Sequence, residues 1–256
     1  MWLFRRPLPR PGLGPRSLQK LREEGFWLVK SVVPAELVAA ARRLINHRIG
    51  EVGLPPERLG EFNARSFTPE LMESSPITDL FLRTRLPRVV EAALGRGQLA
   101  PPTRGQIALR FPNAGKSAAV PHIDGIPTAD NGVPAGTLLH FTALCGVFLT
   151  DVLAEDRGNF TVWPGGHKKV AAHLQAHGAD GFVGGFPKLQ LPPARQITAR
   201  AGDAVFAHYQ LPHGIAPNLG SDVRFAVFFR LYHRRHAEYG QRPLSEPWLE
   251  WPGLTR

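Results

Sequence analysis

The sequence predicts a mainly β protein, a sandwich or barrel with helices flanking it. Three observations carry this. From Thr103 onward, short apolar runs of strand length follow one another, separated by Gly- and Pro-containing turns and without helices in regular alternation. That pattern belongs to a sandwich or barrel, not to a parallel α/β sheet. Before residue 100, apolar residues recur instead at three- and four-residue spacing, the signature of helices. A hydrophobic share of 43% with only 20% charged residues supplies a packed core and argues against disorder.

Each element has a local reason. Ser17–Glu24 reads as a short helix stopped by Gly25, and Phe26–Val29 as a strand. Pro34 suits a first helical turn. Leu37, Val38, Ala41, Leu44 and Ile45 then make one apolar face, which predicts a helix to about His47. Residues 50–75 are punctuated by Pro and Gly and lack periodicity. Ser75-Pro76 opens a helix through about Leu82, and Pro87–Leu94 forms another closed by Gly95. Gln106–Phe111 alternates, with Gln106, Ala108 and Arg110 on one face. Leu144–Leu149 and Phe160–Trp163 read as strands, as do Ile197, Asp203–Ala207 and Val223–Leu231. His167–His177 fits either a helix or an irregular excursion. No internal repeat and no low-complexity segment is visible.

Composition narrows the classes. The single cysteine, Cys145, allows no internal disulfide and lies in an apolar run, so it reads as a small core residue in a cytoplasmic, reducing setting. The formal charge of +10, from 31 Lys+Arg against 21 Asp+Glu, comes mostly from scattered arginines. There is no Lys-rich block and no aromatic stacking motif, which weighs against nucleic acid as a partner. No apolar run is long enough to span a bilayer, so no membrane partner is expected. Residues 1–16 are basic, proline-rich and free of a signal core, and read as an extended tail.

The chemistry centres on Val120-Pro121-His122-Ile123-Asp124-Gly125. On extended backbone, residues i and i+2 share a face, so His122 and Asp124 present an imidazole and a carboxylate to one point. That is two-thirds of a 2-His-1-carboxylate facial triad, which leaves three positions open on iron(II). Alone the motif is weak. It is followed by His213, eighty-nine residues after Asp124, and by Arg224, eleven residues after His213. Arg224 stands in the apolar run Val223–Phe229. A guanidinium buried there demands an anion, because an unpaired buried charge is costly.

The ordered set His122-x-Asp124, His213 and Arg224 resembles the phytanoyl-CoA dioxygenase family of iron(II)/2-oxoglutarate oxygenases. The resemblance extends to the Gly25-Phe26 strand and following helix, to Gly158-Asn159-Phe160 through Pro164-Gly165-Gly166-His167, and to the Gly202-Asp203 turn. It implies a double-stranded β-helix (jelly roll, cupin-like) with outer helices. It implies one oxygenase domain over 17–256, its helical part over 17–100 and its jelly-roll core over 103–233. It also implies that His122, Asp124 and His213 hold Fe(2+), that 2-oxoglutarate chelates the iron, and that Arg224 pairs with the distal carboxylate of 2-oxoglutarate. O2 is the third reactant, and succinate and CO2 are the co-products. Asp124 itself favours hydroxylation or a related C–H oxidation over halogenation, since halogenase relatives carry a small residue there.

Other assignments are looser. Gln106 and Arg110 share the inward parity and are candidates for contact with 2-oxoglutarate or substrate. His140, Trp163, His167, His208 and Tyr209 could line a pocket, though such residues are more often packed or exposed. Many relatives carry Ser two residues after the second metal histidine, and here Ile215 stands there. The stretch Gly125–Leu144 exceeds an ordinary loop and is a candidate lid. The expected partner is a small organic substrate. Three other readings compete: an iron-binding jelly-roll oxidase that does not use 2-oxoglutarate, a non-catalytic metal-stabilised binding module, and a nucleic-acid demethylase.

Overall fold

The computed structural model describes residues 14–55, 57, 59, 66–112, 118–127, 133–134 and 137–254. Helix α1 (Pro15–Glu24) begins two residues before the predicted Ser17, with Pro at its first turn, and ends as expected at Gly25 in the left-handed conformation, φ 83°. Strand β1 (Phe26–Val29) follows. Helix α2 (Ala35–Val52) runs five residues beyond the predicted His47, and α3 (Ser75–Leu82) and α4 (Leu86–Leu94) fall where the periodicity placed them. The remaining strands are β2 (Leu99–Ala100), β3 (Gln106–Arg110), β4 (Ala143–Phe148), β5 (Phe160–Val162), β6 (Arg195–Gln196), β7 (Ala204–His208), β8 (His213–Ile215) and β9 (Arg224–His233). The His167–His177 stretch resolves as helix α5 (Gly166–His177). Two four-residue helices, α6 (His236–Tyr239) and α7 (Arg242–Ser245), follow β9.

The strands form two antiparallel sheets. The larger runs β1-β7-β4-β9-β2, with β3 also on β9; the smaller runs β6-β5-β8. Mostly antiparallel sheets with flanking helices form the predicted jelly roll. The larger sheet is buried on both faces, and alternation sorts its residues. Cys145, Val147, Phe206, Val227 and Phe229 join the core shared with α1–α4. Their sequence neighbours Leu144, Phe148, Val205, Ala226 and Phe228 join the core between the sheets. Double burial explains why β4 reads as an unbroken apolar run. Cys145 lies fully inside, and burial pushes its thiol up, out of reach of nucleophilic chemistry.

The C-terminal segment, to which the sequence reading assigned no element, closes one end. Trp251 is 1% exposed and packs on Phe206 and His208. Among the described residues no helix is long and apolar enough to cross a membrane. Residues 128–132 and 135–136, the middle of the candidate lid, lie outside the described residues, as does most of the predicted N-terminal tail.

Candidate active site

One pair of backbone hydrogen bonds closes the long gap in the motif. The His122 N–H donates to the His213 carbonyl at 2.9 Å, and the His213 N–H donates to the His122 carbonyl at 2.9 Å. This isolated antiparallel bridge sets the two residues directly opposite each other. Their rings lie 4.6 Å apart. Gly214 permits the approach, because a Cβ there would stand 2.6 Å from the Val120 carbonyl oxygen. Asp124 stands in a turn, not on a strand, yet it reaches the same point: its Oδ1 lies 3.5 Å from His213 Nε2 and 3.9 Å from His122 Nε2.

The donor set suits a metal ion. All three ligand atoms lie within 4.8 Å of one another. Both Nδ1 atoms face backbone carbonyls, His122 that of Val120 at 3.3 Å and His213 that of Leu211 at 3.0 Å. With the proton held at Nδ1, each Nε2 lone pair is free toward Asp124. Two imidazoles and one carboxylate oxygen on one side of an open cavity match a non-haem iron(II) centre. Burial, then the neighbouring His213, lowers His122 to about 4, so it stays neutral and able to ligate. Burial pushes the Asp124 carboxyl up, but His213, Arg230 and His122 together outweigh it and hold the group well below the usual carboxylate range.

The cluster opens into a cavity of about 300 Å³ between the two sheets. Gln106, Ala108 and Arg110 on β3 all line it, as their shared parity predicts, together with Phe160, Ile215, Arg224 and Phe228. Arg224 is 4% exposed. Its Nε donates to the Gly158 carbonyl at 2.9 Å and its Nη1 to the Ala108 carbonyl at 3.0 Å. Gly158 packs against the stems of both arginines, with φ at 72°. In the β3–β9 register Arg110 stands directly opposite Arg224. Among the described residues no carboxylate pairs with either guanidinium, and Arg110 Nε is buried without a partner. Burial, then the charge of Arg110, pushes Arg224 down to about 9. A buried cation opposed by a half-buried one is costly unless an anion joins them.

One site residue escaped the sequence reading. Arg230 Nη2 meets Asp124 Oδ2 at 2.7 Å, and its Nη1 donates to Gln106 Oε1 at 3.0 Å. The Asp124 carboxylate thus offers Oδ1 to the histidines and Oδ2 to Arg230. The signal was present: Arg230 follows Arg224 by an even number of residues on the same apolar strand, so both face inward. None of His140, Trp163, His167, His208 and Tyr209 lines this cavity. Trp163 and the three histidines are packed residues, and Tyr209 touches the site only by donating its hydroxyl to the Asp124 carbonyl at 3.2 Å.

Solved structures share this architecture. The α-ketoglutarate-dependent carbocyclase SnoK from nogalamycin biosynthesis is 21% identical, with a TM-score of 0.56 and 89% of each chain covered. HygX from Streptomyces hygroscopicus, solved with nickel and 2-oxoglutarate bound, is 19% identical, with a TM-score of 0.58 over 87% of this chain and 88% of that one. The epimerase SnoN, solved with Fe3+, α-ketoglutarate and nogalamycin RO, is 19% identical, with a TM-score of 0.55 over 86% and 85%. A comparison with curated protein sequences found no significant match. At these identities the likeness establishes the fold. A family model reaches further, because it spans β1, the His-x-Asp turn, the second histidine and the first inward arginine of β9 in one match over residues 21–226: the chain belongs to the phytanoyl-CoA dioxygenase (PhyH) family.

Proposed function

We propose that this protein is an iron(II)- and 2-oxoglutarate-dependent dioxygenase that oxidises a C–H bond, in the simplest case by hydroxylation, of a small organic substrate. The observation that carries the reading is the shared cavity: the His122–Asp124–His213 cluster and the carboxylate-free pair Arg110–Arg224 face the same space. His122, Asp124 and His213 hold the iron. Arg224, with Arg110 opposite it, takes the distal carboxylate of 2-oxoglutarate. Bound iron supplies the activation of O2, coupled to decarboxylation of 2-oxoglutarate to succinate and CO2.

The chain's own contribution is placement. The two Nδ1–carbonyl contacts fix the tautomer and the ring planes. Arg230 holds the second oxygen of Asp124, leaving one oxygen for the metal. Arg224 is itself fixed by two backbone carbonyls, so its remaining N–H groups are preorganised for a carboxylate. Phe160, Phe228 and Ile215 give the same cavity apolar walls. The arginine pair is also what separates this reading from an iron oxidase that does not use 2-oxoglutarate. Such an enzyme has no use for a buried arginine with a second one opposed to it.

The test is succinate release from 2-oxoglutarate by anaerobically iron-loaded protein on exposure to air, with metal and 2-oxoglutarate binding measured in parallel. His122→Ala is expected to abolish turnover and weaken metal binding. Arg224→Ala is expected to retain the metal and lose 2-oxoglutarate affinity. Wild-type protein that binds the metal and not 2-oxoglutarate would overturn the assignment of co-substrate.

A further inference from the structure

A second cavity, of about 320 Å³, adjoins the first. The two share Gln106, Phe228 and Arg230, so the Gln106–Arg230 hydrogen bond forms the partition between them. The far side is built by Met72, Arg104 and Tyr232. Arg230, in the wall common to both cavities, itself touches Asp124. A molecule lying in the second cavity is separated by Arg230 from Asp124 of the metal cluster.

The charge of this space is one-sided. Among the described residues that line the two cavities there are four arginines, Arg104, Arg110, Arg224 and Arg230, and one acid, Asp124. Counting arginines against acids, the lining carries a formal excess of three positive charges. Loading does not remove it, because ferrous iron and the 2-oxoglutarate dianion cancel each other. Arg224 and Arg110 meet 2-oxoglutarate, and Arg230 meets Asp124. Arg104 is left with one weak contact, Nη2 to the Met72 sulfur at 3.7 Å. A cleft of one sign concentrates ligands of the opposite sign.

We infer that the second cavity is the substrate site and that it selects an organic anion, whose carboxylate or phosphate meets Arg104 while its apolar body lies along Phe228, Tyr232 and Met72. The inference rests on the oxygenase reading for what the site does, but its chemistry is legible by binding alone. Three fragments with one skeleton serve as probes: 4-phenylbutyrate, 4-phenylbutyl phosphate and 4-phenylbutanol. Saturation-transfer NMR and calorimetry are run at millimolar fragment on protein loaded with nickel and 2-oxoglutarate, whose own binding is recorded first.

The acid or the phosphate is expected to bind about tenfold or more tighter than the alcohol, the magnitude of a hydrogen bond to a charged group. The stronger of the two identifies the anion. The preference shrinks as salt rises. It shrinks also in Arg104→Gln, and it persists in Arg43→Gln, which removes the same charge from an exposed position on α2. Equal binding of alcohol and anions, binding of none of the three, or an unchanged preference in Arg104→Gln would overturn the inference while leaving nickel and 2-oxoglutarate binding intact. Wild-type protein that failed to bind nickel or 2-oxoglutarate would overturn the oxygenase reading, and this inference with it.

Discussion

Replacing Arg110 with methionine separates a structural cation from a functional one. Methionine keeps an unbranched stem against Gly158 and removes the charge. In the unliganded protein Arg110 stands opposite Arg224, and like charges directly opposed on adjacent strands cost up to about 1 kcal/mol. Arginine holds its proton in proteins, so the depression of Arg224 to about 9 expresses itself as lost stability and not as a titration. Arg110→Met should therefore raise the melting temperature of the unliganded protein by about 2–4 °C. The liganded protein should move the other way. If 2-oxoglutarate at a hundred times its Kd stabilises the wild type by about 2.7 kcal/mol, losing one charge-assisted hydrogen bond of about 1.5–3 kcal/mol reduces that gain to about 1.4 kcal/mol or less. Differential scanning fluorimetry on nickel-loaded protein, with and without 2-oxoglutarate, reads both quantities. A variant that is less stable when unliganded, and that gains as much from 2-oxoglutarate as the wild type, would refute the argument and make Arg110 a packing residue.

Three further outcomes follow from particular contacts. Gly158→Ala puts a Cβ 2.9 Å from Arg110 Cγ and 3.3 Å from Arg224 Cβ at a φ of 72°. It should cost about 1–3 kcal/mol and weaken 2-oxoglutarate more than nickel, which paired calorimetric titrations can check. Asp203 is 1% exposed and accepts from the Ser31 N–H at 2.8 Å, the Arg200 N–H at 2.9 Å and Lys30 Nζ at 3.0 Å. Asp203→Ala leaves two backbone donors stranded and should cost about 2–4 kcal/mol in urea unfolding with nickel affinity retained; a loss under about 1 kcal/mol would contradict it. Burial pushes His208 and His140 down to about 4 and His167 to about 3. Folded-state values below the unfolded 6.5 mean that the unfolded chain binds more protons between pH 6.5 and 4. Stability is then full above pH 6.5 and lost as pH falls through that window, by up to about 4 kcal/mol per pH unit for three histidines. Denaturant midpoints that stay level from pH 7 to 5 would exclude it.

Much of this was legible in the sequence because alternation survives burial. Gln106, Ala108 and Arg110 share a face by parity alone, and the cavity contains all three. Cys145 read as core because its run is apolar, and it is core. What could not be read has physical reasons. His122 and Asp124 do not lie on a strand; a single bridge to His213 does the work, and pairings over such a distance leave no local trace. Helix α2 runs past His47 because Ile49 continues the spacing from Ile45 onto the core, and His47 and Arg48 both pair with Glu51 along the last turn. Arg230 stands two inward residues past Ala226, so its parity carried the same information as that of Arg224. The packed histidines could not be sorted from site histidines by type. Which ring nitrogen is taken separates them: His208 Nε2 faces the Pro247 oxygen at 2.7 Å, whereas His122 and His213 face carbonyls through Nδ1 and turn Nε2 toward Asp124.

Strand β9 explains why site and stability cannot be varied independently. Phe225, Val227, Phe229 and Leu231 point to the helix-side core, while Arg224, Ala226, Phe228 and Arg230 point toward the small sheet. A slip of one residue would exchange the two sets, placing two guanidiniums among α1–α4 and four large apolar side chains in the cavity. Both faces being buried makes that slip prohibitive, so the register that seats Arg110 beside Arg224 is enforced by apolar packing with no disulfide to help. The same register makes sense of Ile215. Where many relatives have a hydroxyl two residues after the second histidine, this chain lines the cavity with an aliphatic side chain. The hydrogen bond that Ile215 does not make has a ready replacement in a guanidinium that the β3–β9 pairing already holds opposite the first. On this argument Ile215→Ser should restore a contact without restoring a need: 2-oxoglutarate affinity should rise little in the wild-type background and by about tenfold in Arg110→Met. Equal gains in the two backgrounds would mean that the two positions act independently and that Arg110 serves something other than the co-substrate.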